Sequence, residues 1–267
     1  MAKGLDAAVI AASTSAHRDL AVGLLERGVG VLVEKPLAAT AAEARQIARA
    51  ARASGAVCQA GHILRFDPVT RAADALDVRP GFVDVSWAAP MTARSMDVGV
   101  VMDLATHGID LVLHWVGEMP ERVDACGAHI IGPHEDLVNV RLVFPGGCVA
   151  TLTASRLSRT RERLIRLFAE DAYVKLDYAR GKIEVIRPKA AARDLVAKAG
   201  GALNMEDLIS VENPPVEAGP DALRAQLDAF LAAVRGERPV AVSAEQGVRV
   251  VEVAERVLAA IGAAHTG

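Results

Sequence analysis

The chain has 267 residues, 52% hydrophobic and 24% charged, with a formal net charge of −3. That composition belongs to a globular chain of one large or two ordinary domains, and it excludes a global field that would recruit nucleic acid or an acidic membrane. Only 3% of residues are aromatic, too few for base stacking, and no uncharged apolar stretch is long enough to span a bilayer.

The opening MAKGLDAAVIAAS places Asp6 where a signal peptide needs its apolar core, so it reads as the start of a fold. The three cysteines, Cys58, Cys126 and Cys148, are odd in number and form no CxxC pair. They predict small buried hydrophobes in a cytoplasmic protein.

Residues 6–12 form a short apolar run that ends in Ser13-Thr14-Ser15. This pattern predicts a buried parallel strand, a cap and a helix over 16–27. A second strand follows at 29–33, stopped by Glu34-Lys35-Pro36, where the proline leaves the ladder and is a candidate cis residue. Thr40 and Glu43 predict a capping box for a helix to about Gly55, and 56–60 is a third strand. The order β-α-β-α-β with short connections predicts a parallel sheet with helical crossovers.

Beyond Pro68 the texture changes. Residues 81–88 alternate, a helix is expected at about 99–116, and alternating segments follow at 121–131, 136–144, 147–156, 162–168, 173–178 and 182–186. Strands without intervening helices predict an antiparallel or mixed sheet. Residues 188–220 read as irregular, and helices close the chain at 221–235 and 243–262. The expected fold class is α/β: a partial Rossmann unit over 1–62, then an α+β domain over 63–267 built on a large open mixed or antiparallel sheet. Ligands in such folds bind at the carboxyl ends of the parallel strands.

Four features carry candidate chemistry. Glu34-Lys35-Pro36 stands at that ligand edge. Asp103, His107, Asp110 and His114 are spaced four, three and four apart, which places them on one helical face. A polar stripe on a mostly apolar helix must meet solvent, partners or a cleft, and a general base beside a carboxylate suits a hydroxyl-oxidising site. The same stripe could be a structural polar face or a metal site of a hydrolase or lyase. Arg65, in GHILRFDP, could bind a carboxamide, phosphate or carboxylate, or could form a domain-crossing salt bridge. Arg156, Arg159, Arg161, Arg163 and Arg166 could grip a pyrophosphate, or form a solvated face or a subunit contact. Gly28-Val29-Gly30 follows a helix and opens a strand, the reverse of a phosphate-binding GxGxxG loop.

The stretch VIAASTSAHRDLAVGLLERGVGVLVEKPLAATAAEARQIARAARASGAVCQAGHILRFDPV, the helix DVGVVMDLATHGIDLV and the closing LRAQLDAFLAAVRGERPVAVSAEQGVRVVEVAERVL together resemble the glucose-fructose oxidoreductase, inositol dehydrogenase and rhizopine catabolism family, Gfo/Idh/MocA. The resemblance spans nearly the whole chain. It implies NAD or NADP as cofactor and a polyol, sugar or nucleotide-sugar substrate. It also implies that His107 takes the hydroxyl proton, Asp103 orients the imidazolium and Lys35 polarises the oxygen. RSMDVGVVMDLATHGIDLVLHWVG, GGCVATLTASRLSRTRERLIRLF and DAYVKLDY are most similar to members that oxidise UDP-N-acetylglucosamine at the sugar 3-position.

One departure stands out. The family's opening strand, GxGxxG, helix and second strand do not occur in this sequence, so the expectation is a chain lacking that part of the nucleotide domain. Val9, Ile10 and Val31–Val33 are then expected to lose a central neighbour. Cofactor contacts are expected from Ser13, Thr14, His17, Glu34, Lys35 and Arg65, and substrate contacts from Arg156 and Arg159. The other function left open is a non-catalytic sugar-binding or assembly relative, and self-association is expected through the C-terminal sheet.

Overall fold

The computed structural model describes residues 4–91, 98–198, 203–217 and 219–264. The start of the quoted RSMDVGVVMDLATHGIDLVLHWVG stretch, residues 94–97, lies outside the described residues.

Three parallel strands, β1 (Ala7–Ile10), β2 (Gly30–Glu34) and β3 (Cys58–Gly61), lie in the order β1-β2-β3. They are joined by α1 (Thr14–Leu25) and α2 (Ala41–Ser54). The sequence logic of α2 is visible at both ends. Glu43 N–H donates to Thr40 Oγ1 at 3.2 Å, and Gly55 closes the helix in the left-handed region at φ 69°. The reciprocal arm of the expected capping box is missing, because Glu43 Oε2 is buried without a partner.

The expected loss of a neighbour holds for one residue of the five. β1 is an edge strand and Val9 is 51% exposed, but Ile10 is 4% exposed. β2 is the middle strand, so Val31, Leu32 and Val33 are buried. The far edge of β3 is covered as well: Ala60 N–H donates to the Val242 carbonyl at 2.9 Å.

The second layer is an eight-stranded mixed sheet formed by β4 (Phe82–Pro90), β5 (Arg122–Ala128), β6 (Leu137–Val143), β7 (Val149–Ser155), β8 (Leu157–Phe168), β9 (Tyr173–Asp177), β10 (Lys182–Pro188) and β11 (Ile209–Glu212). The order is β11-β10-β9-β8-β4-β7-β6-β5, with β4 parallel to β7 and the remaining pairs antiparallel. Period-2 alternation buries Val83, Val85 and Trp87 of β4 and Ala150, Leu152 and Ala154 of β7 on one face. That face packs against α4 (Thr106–Val116).

The helix expected at 99–116 is in fact two pieces, a π turn over Val101–Ala105 and then α4. Gly108 sets how closely α4 lies on the sheet: a Cβ there would come within 2.6 Å of Leu152 Cδ1 and 2.9 Å of Val85 Cγ1. The stretch 188–220, expected to be irregular, contains α5 (Ala192–Lys198), α6 (Met205–Leu208) and β11. A short helix α3 (Pro68–Asp74) was also not anticipated. Its Asp67 cap accepts from Val69 N–H at 2.9 Å, and Pro68 opens it.

The closing helices α7 (Ala222–Val234) and α8 (Ala244–Ala264) join the two layers. Val248 and Val251 pack into the core of the three-stranded unit, while Val250, Val253 and Val257 pack into the core of the large sheet. The Ala41 N–H at the start of α2 donates to Glu255 Oε1 of α8 at 2.8 Å. One helix thus ties α2 and β3 of the parallel unit to the π turn. Cys58 and Cys148 are buried as expected, whereas Cys126 is exposed. Among the described residues no helix is long and apolar enough to cross a membrane.

Candidate active site

The carboxyl ends of β1 and β2 face the π turn across a cleft of about 750 Å³. Its floor is Ala11, Ala12, Ser13, Thr14 and Ser15, one wall is Lys35, Pro36 and Ala39, and the opposite wall is Val98, Met102 and Asp103. The Lys35–Pro36 peptide is cis. Lys35 Nζ donates to the Asp103 carbonyl at 2.6 Å and approaches Asp103 Oδ1 at 3.4 Å. The widened π turn presents that carbonyl, as such turns do at many functional sites. An ammonium has three donors, so two are engaged and one is left for a ligand.

The four-residue stripe does not act as one face. The π turn carries Asp103 toward Lys35, and the remaining three residues find separate partners. His107 stacks on Trp87 with ring centroids 6.3 Å apart. Asp110 is 1% exposed and takes Arg65 in a two-pronged pair, at 2.7 Å from Nε and 2.9 Å from Nη2. His114 Nε2 bonds Asp74 at 3.0 Å, at the far end of the helix. Asp103 therefore pairs with Lys35; no hydrogen bond joins it to His107 among the described residues.

The electrostatics favour a neutral base. Burial, and then the positive charges of Lys35, His62 and Arg163, hold the His107 imidazole well below its ordinary range. A neutral imidazole beside a cationic lysine can accept a proton. His62 is 2% exposed and 3.9 Å from Asp110, and neither ring nitrogen has a hydrogen-bond partner. Burial lowers its pKa, Asp110 opposes that, and Arg65 and Lys35 add to it.

Several expected contacts resolve differently. Ser13, Thr14 and Lys35 line the cleft. His17 is buried, with Nδ1 3.0 Å from the Pro36 carbonyl and Nε2 3.1 Å from the Ala12 carbonyl. It staples the two loops together and presents no free nitrogen, which corrects its expected role as a cofactor ligand. Arg65 is likewise consumed, by Asp110. Glu34 ends β2 half-buried, beside Gly61, where a Cβ would meet Glu34 Cα at 2.8 Å.

Arg156 is 2% exposed, donating from Nε to Asp136 at 2.6 Å and from Nη1 to the Val98 carbonyl at 2.8 Å. It is a strut under the loop entering the π turn, which corrects its expected role in substrate binding. Glu135 completes the strut, accepting from Val101 N–H at 3.0 Å. Arg159 is exposed on β8.

Sequence reasoning missed Trp87 and His62 as site residues, and named Arg163 only as one of five arginines that could grip a pyrophosphate. A signal existed for two of them: Trp87 continues the inward alternation of Val83 and Val85, and Arg163 continues that of Leu167 and Ile165. Among the described residues no group of three or more His, Cys, Asp or Glu side chains is placed to hold a metal ion.

Two family profiles match the chain. Residues 1–62 match the NAD-binding Rossmann fold of the Gfo/Idh/MocA oxidoreductases, and residues 66–265 match their C-terminal alpha/beta domain. The UDP-N-acetylglucosamine 3-dehydrogenase of Acidithiobacillus ferrooxidans is 30% identical over 261 residues, covering 97% of this chain and 80% of that one. The scyllo-inositol 2-dehydrogenase (NAD(+)) of Bacillus subtilis strain 168 is 28% identical over 170 residues, 58% of this chain and 50% of that one. The solved structure of the Acidithiobacillus enzyme superposes with a TM-score of 0.85, covering 97% of this chain and 79% of its own. A levoglucosan dehydrogenase in complex with NADH and levoglucosan, 17% identical, shares the fold at a TM-score of 0.78, covering 96% of this chain and 78% of its own. With its parallel unit, mixed sheet and lysine–aspartate cleft, this chain belongs to the Gfo/Idh/MocA oxidoreductase family, whose cofactor is a nicotinamide dinucleotide.

Proposed function

We propose that the cleft oxidises a secondary hydroxyl of a sugar or nucleotide sugar, with UDP-N-acetylglucosamine at C3 as the leading candidate. The observation that carries this reading is Lys35 at the wall of the cleft, its Nζ 2.6 Å from the Asp103 carbonyl, with the half-buried His107 imidazole one helical turn further on and held below its ordinary pKa range by burial and by the Lys35 charge. The likeness to the Acidithiobacillus dehydrogenase over 97% of the chain supports the substrate class.

The residues present fit the nicotinamide half of the cofactor. Ala11, Ala12 and Ala39 leave the walls flat, Ser13 and Thr14 supply hydroxyls, and the volume suits a ring and a ribose. When bound, the nicotinamide accepts hydride from the carbinol carbon. His107 takes the hydroxyl proton, and the remaining Lys35 donor holds the same oxygen. Asp103 fixes Lys35 through its carbonyl and carboxylate, which replaces the expected role of orienting the imidazolium. The outer face of the large sheet, with Thr151, Thr153 and Asn139, is the surface proposed for self-association.

His107→Ala and Lys35→Ala should each lower turnover by about 10²–10⁴-fold, the range for acid–base groups. The assay follows reduced-nicotinamide absorbance with UDP-N-acetylglucosamine. Turnover near wild type in either variant sinks the assignment.

A further inference from the structure

Two buried N–H donors lie on facing residues of a strand pair next to His107, and no group among the described residues accepts from either. Trp87 of β4 and Arg163 of β8 are directly opposed across the strand pair. Trp87 is 1% exposed and its indole Nε1 has no acceptor; Arg163 Nε is also buried and unpaired. The guanidinium carbon lies 5.5 Å from the Trp87 ring centroid, and the His107 ring stacks on the same indole.

The contrast with neighbouring Arg166 is sharp, since Arg166 is tied to Asp84 at 2.6 Å. Arg163 makes no ion pair among the described residues; burial and then the Arg161 charge disfavour its cation, and Asp67 partly offsets them. Buried donors are nearly always satisfied, so an unsatisfied pair beside a reacting group marks the place of a ligand acceptor.

Resting on the hydroxyl-oxidation reading above, we propose that Trp87 and Arg163 form a subsite for a carbonyl oxygen of the substrate, an acylamino carbonyl on the carbon next to the one oxidised. The chemistry selects this group. An sp² oxygen offers two lone pairs in one plane and so can accept from an indole N–H and a neighbouring guanidinium N–H together. A hydroxyl oxygen would also have to place a proton of its own, whereas the carbonyl only accepts, so the carbonyl is favoured. Arg163 is thus a specificity-determining residue, and His107 remains the base.

The test uses the two tryptophans. Trp115→Phe leaves Trp87 as the sole tryptophan, and its emission reports directly on the subsite. That variant is titrated with UDP-N-acetylglucosamine and with UDP-glucose, which differ only in the 2-acetamido group. The acetamido ligand should bind tighter by about tenfold or more, because it alone satisfies both donors. Adding Arg163→Met should bring the two affinities together, and Arg163→Lys, which keeps the charge and loses the fork, should fall between.

Equal affinities in the parent, or an equal weakening of both ligands by Arg163→Met, overturns the subsite and leaves the hydroxyl reading standing. A folded parent that binds neither nucleotide sugar overturns the substrate reading and the subsite with it.

Discussion

Two sets of polar side chains surround the same helix, and they have opposite fates. Beneath it, Arg65–Asp110 and Arg156–Asp136 are buried pairs whose donors meet carboxylate or carbonyl oxygens at 2.6–2.9 Å. Around the His107 ring, His62, Trp87 and Arg163 carry buried ring or guanidinium nitrogens without a partner among the described residues. The lesson is that satisfaction, more than residue type, separates scaffold from site. An arginine with a topologically delivered carboxylate is a strut, and one without is available to a ligand.

The sharpest way to break the first set is Asp136→Ala. Asp136 is fully buried and accepts from Arg156 and from the Ile130 and Ile131 N–H groups at 2.7 Å. Removing it strands a buried guanidinium, which costs about 3–5 kcal/mol. Urea denaturation should show that loss, and a change under 1 kcal/mol would mean that Arg156 is compensated another way. The same variant loosens the Val98 entry to the π turn, so cofactor affinity should fall as well.

A smaller perturbation separates position from chemistry. Gly108→Ala leaves every polar group in place but forces a methyl to within 2.6–2.9 Å of Leu152 and Val85. Overpacking of this kind costs about 1–3 kcal/mol and lifts α4 from the sheet. His107 moves with the helix, away from its stacking on Trp87. The expected result is a moderate stability loss accompanied by a fall in kcat. Unchanged kcat with lowered stability would show that the site tolerates the displacement.

How much of this was legible in the sequence follows the same division. The parallel strands, the caps at Thr40 and Gly55 and the alternation of the large sheet are local patterns, and the chain carries them openly. Lys35 and His107 were found because strand ends and helical spacing are also local. The partners of Arg65 and Arg156 lie 45 and 20 residues away, and nothing near either arginine announces them. The π turn was hidden for a related reason. Val101–Ala105 is composed of ordinary helix formers, and its widening goes with Lys35, 68 residues earlier, accepted by the Asp103 carbonyl.

The mildest test acts on the unsatisfied set through pH. His62 and His107 both have native pKa values below that of the unfolded chain, lowered first by burial. Below the unfolded value of about 6.5, the unfolded chain therefore binds more protons than the native one, and stability rises with pH. The loss begins as pH falls through about 6.5 and continues toward the depressed native values, at no more than about 1.4 kcal/mol per pH unit for each histidine. Asp136 contributes in a separate, more acidic window. Burial opposes its ionisation, but the Ile131 and Ile130 N–H groups and Arg156 hold its carboxyl well below the usual range. Urea midpoints between pH 8 and pH 5 should therefore slope downward with acid, and His107→Gln should flatten that slope without touching the acid limb below pH 4. A slope unchanged by His107→Gln would mean that the imidazole takes a proton in the native cleft as readily as in the unfolded chain. A depressed native value keeps the imidazole neutral below pH 6.5 as well, so the same titration also tests how far into acid His107 can accept the hydroxyl proton.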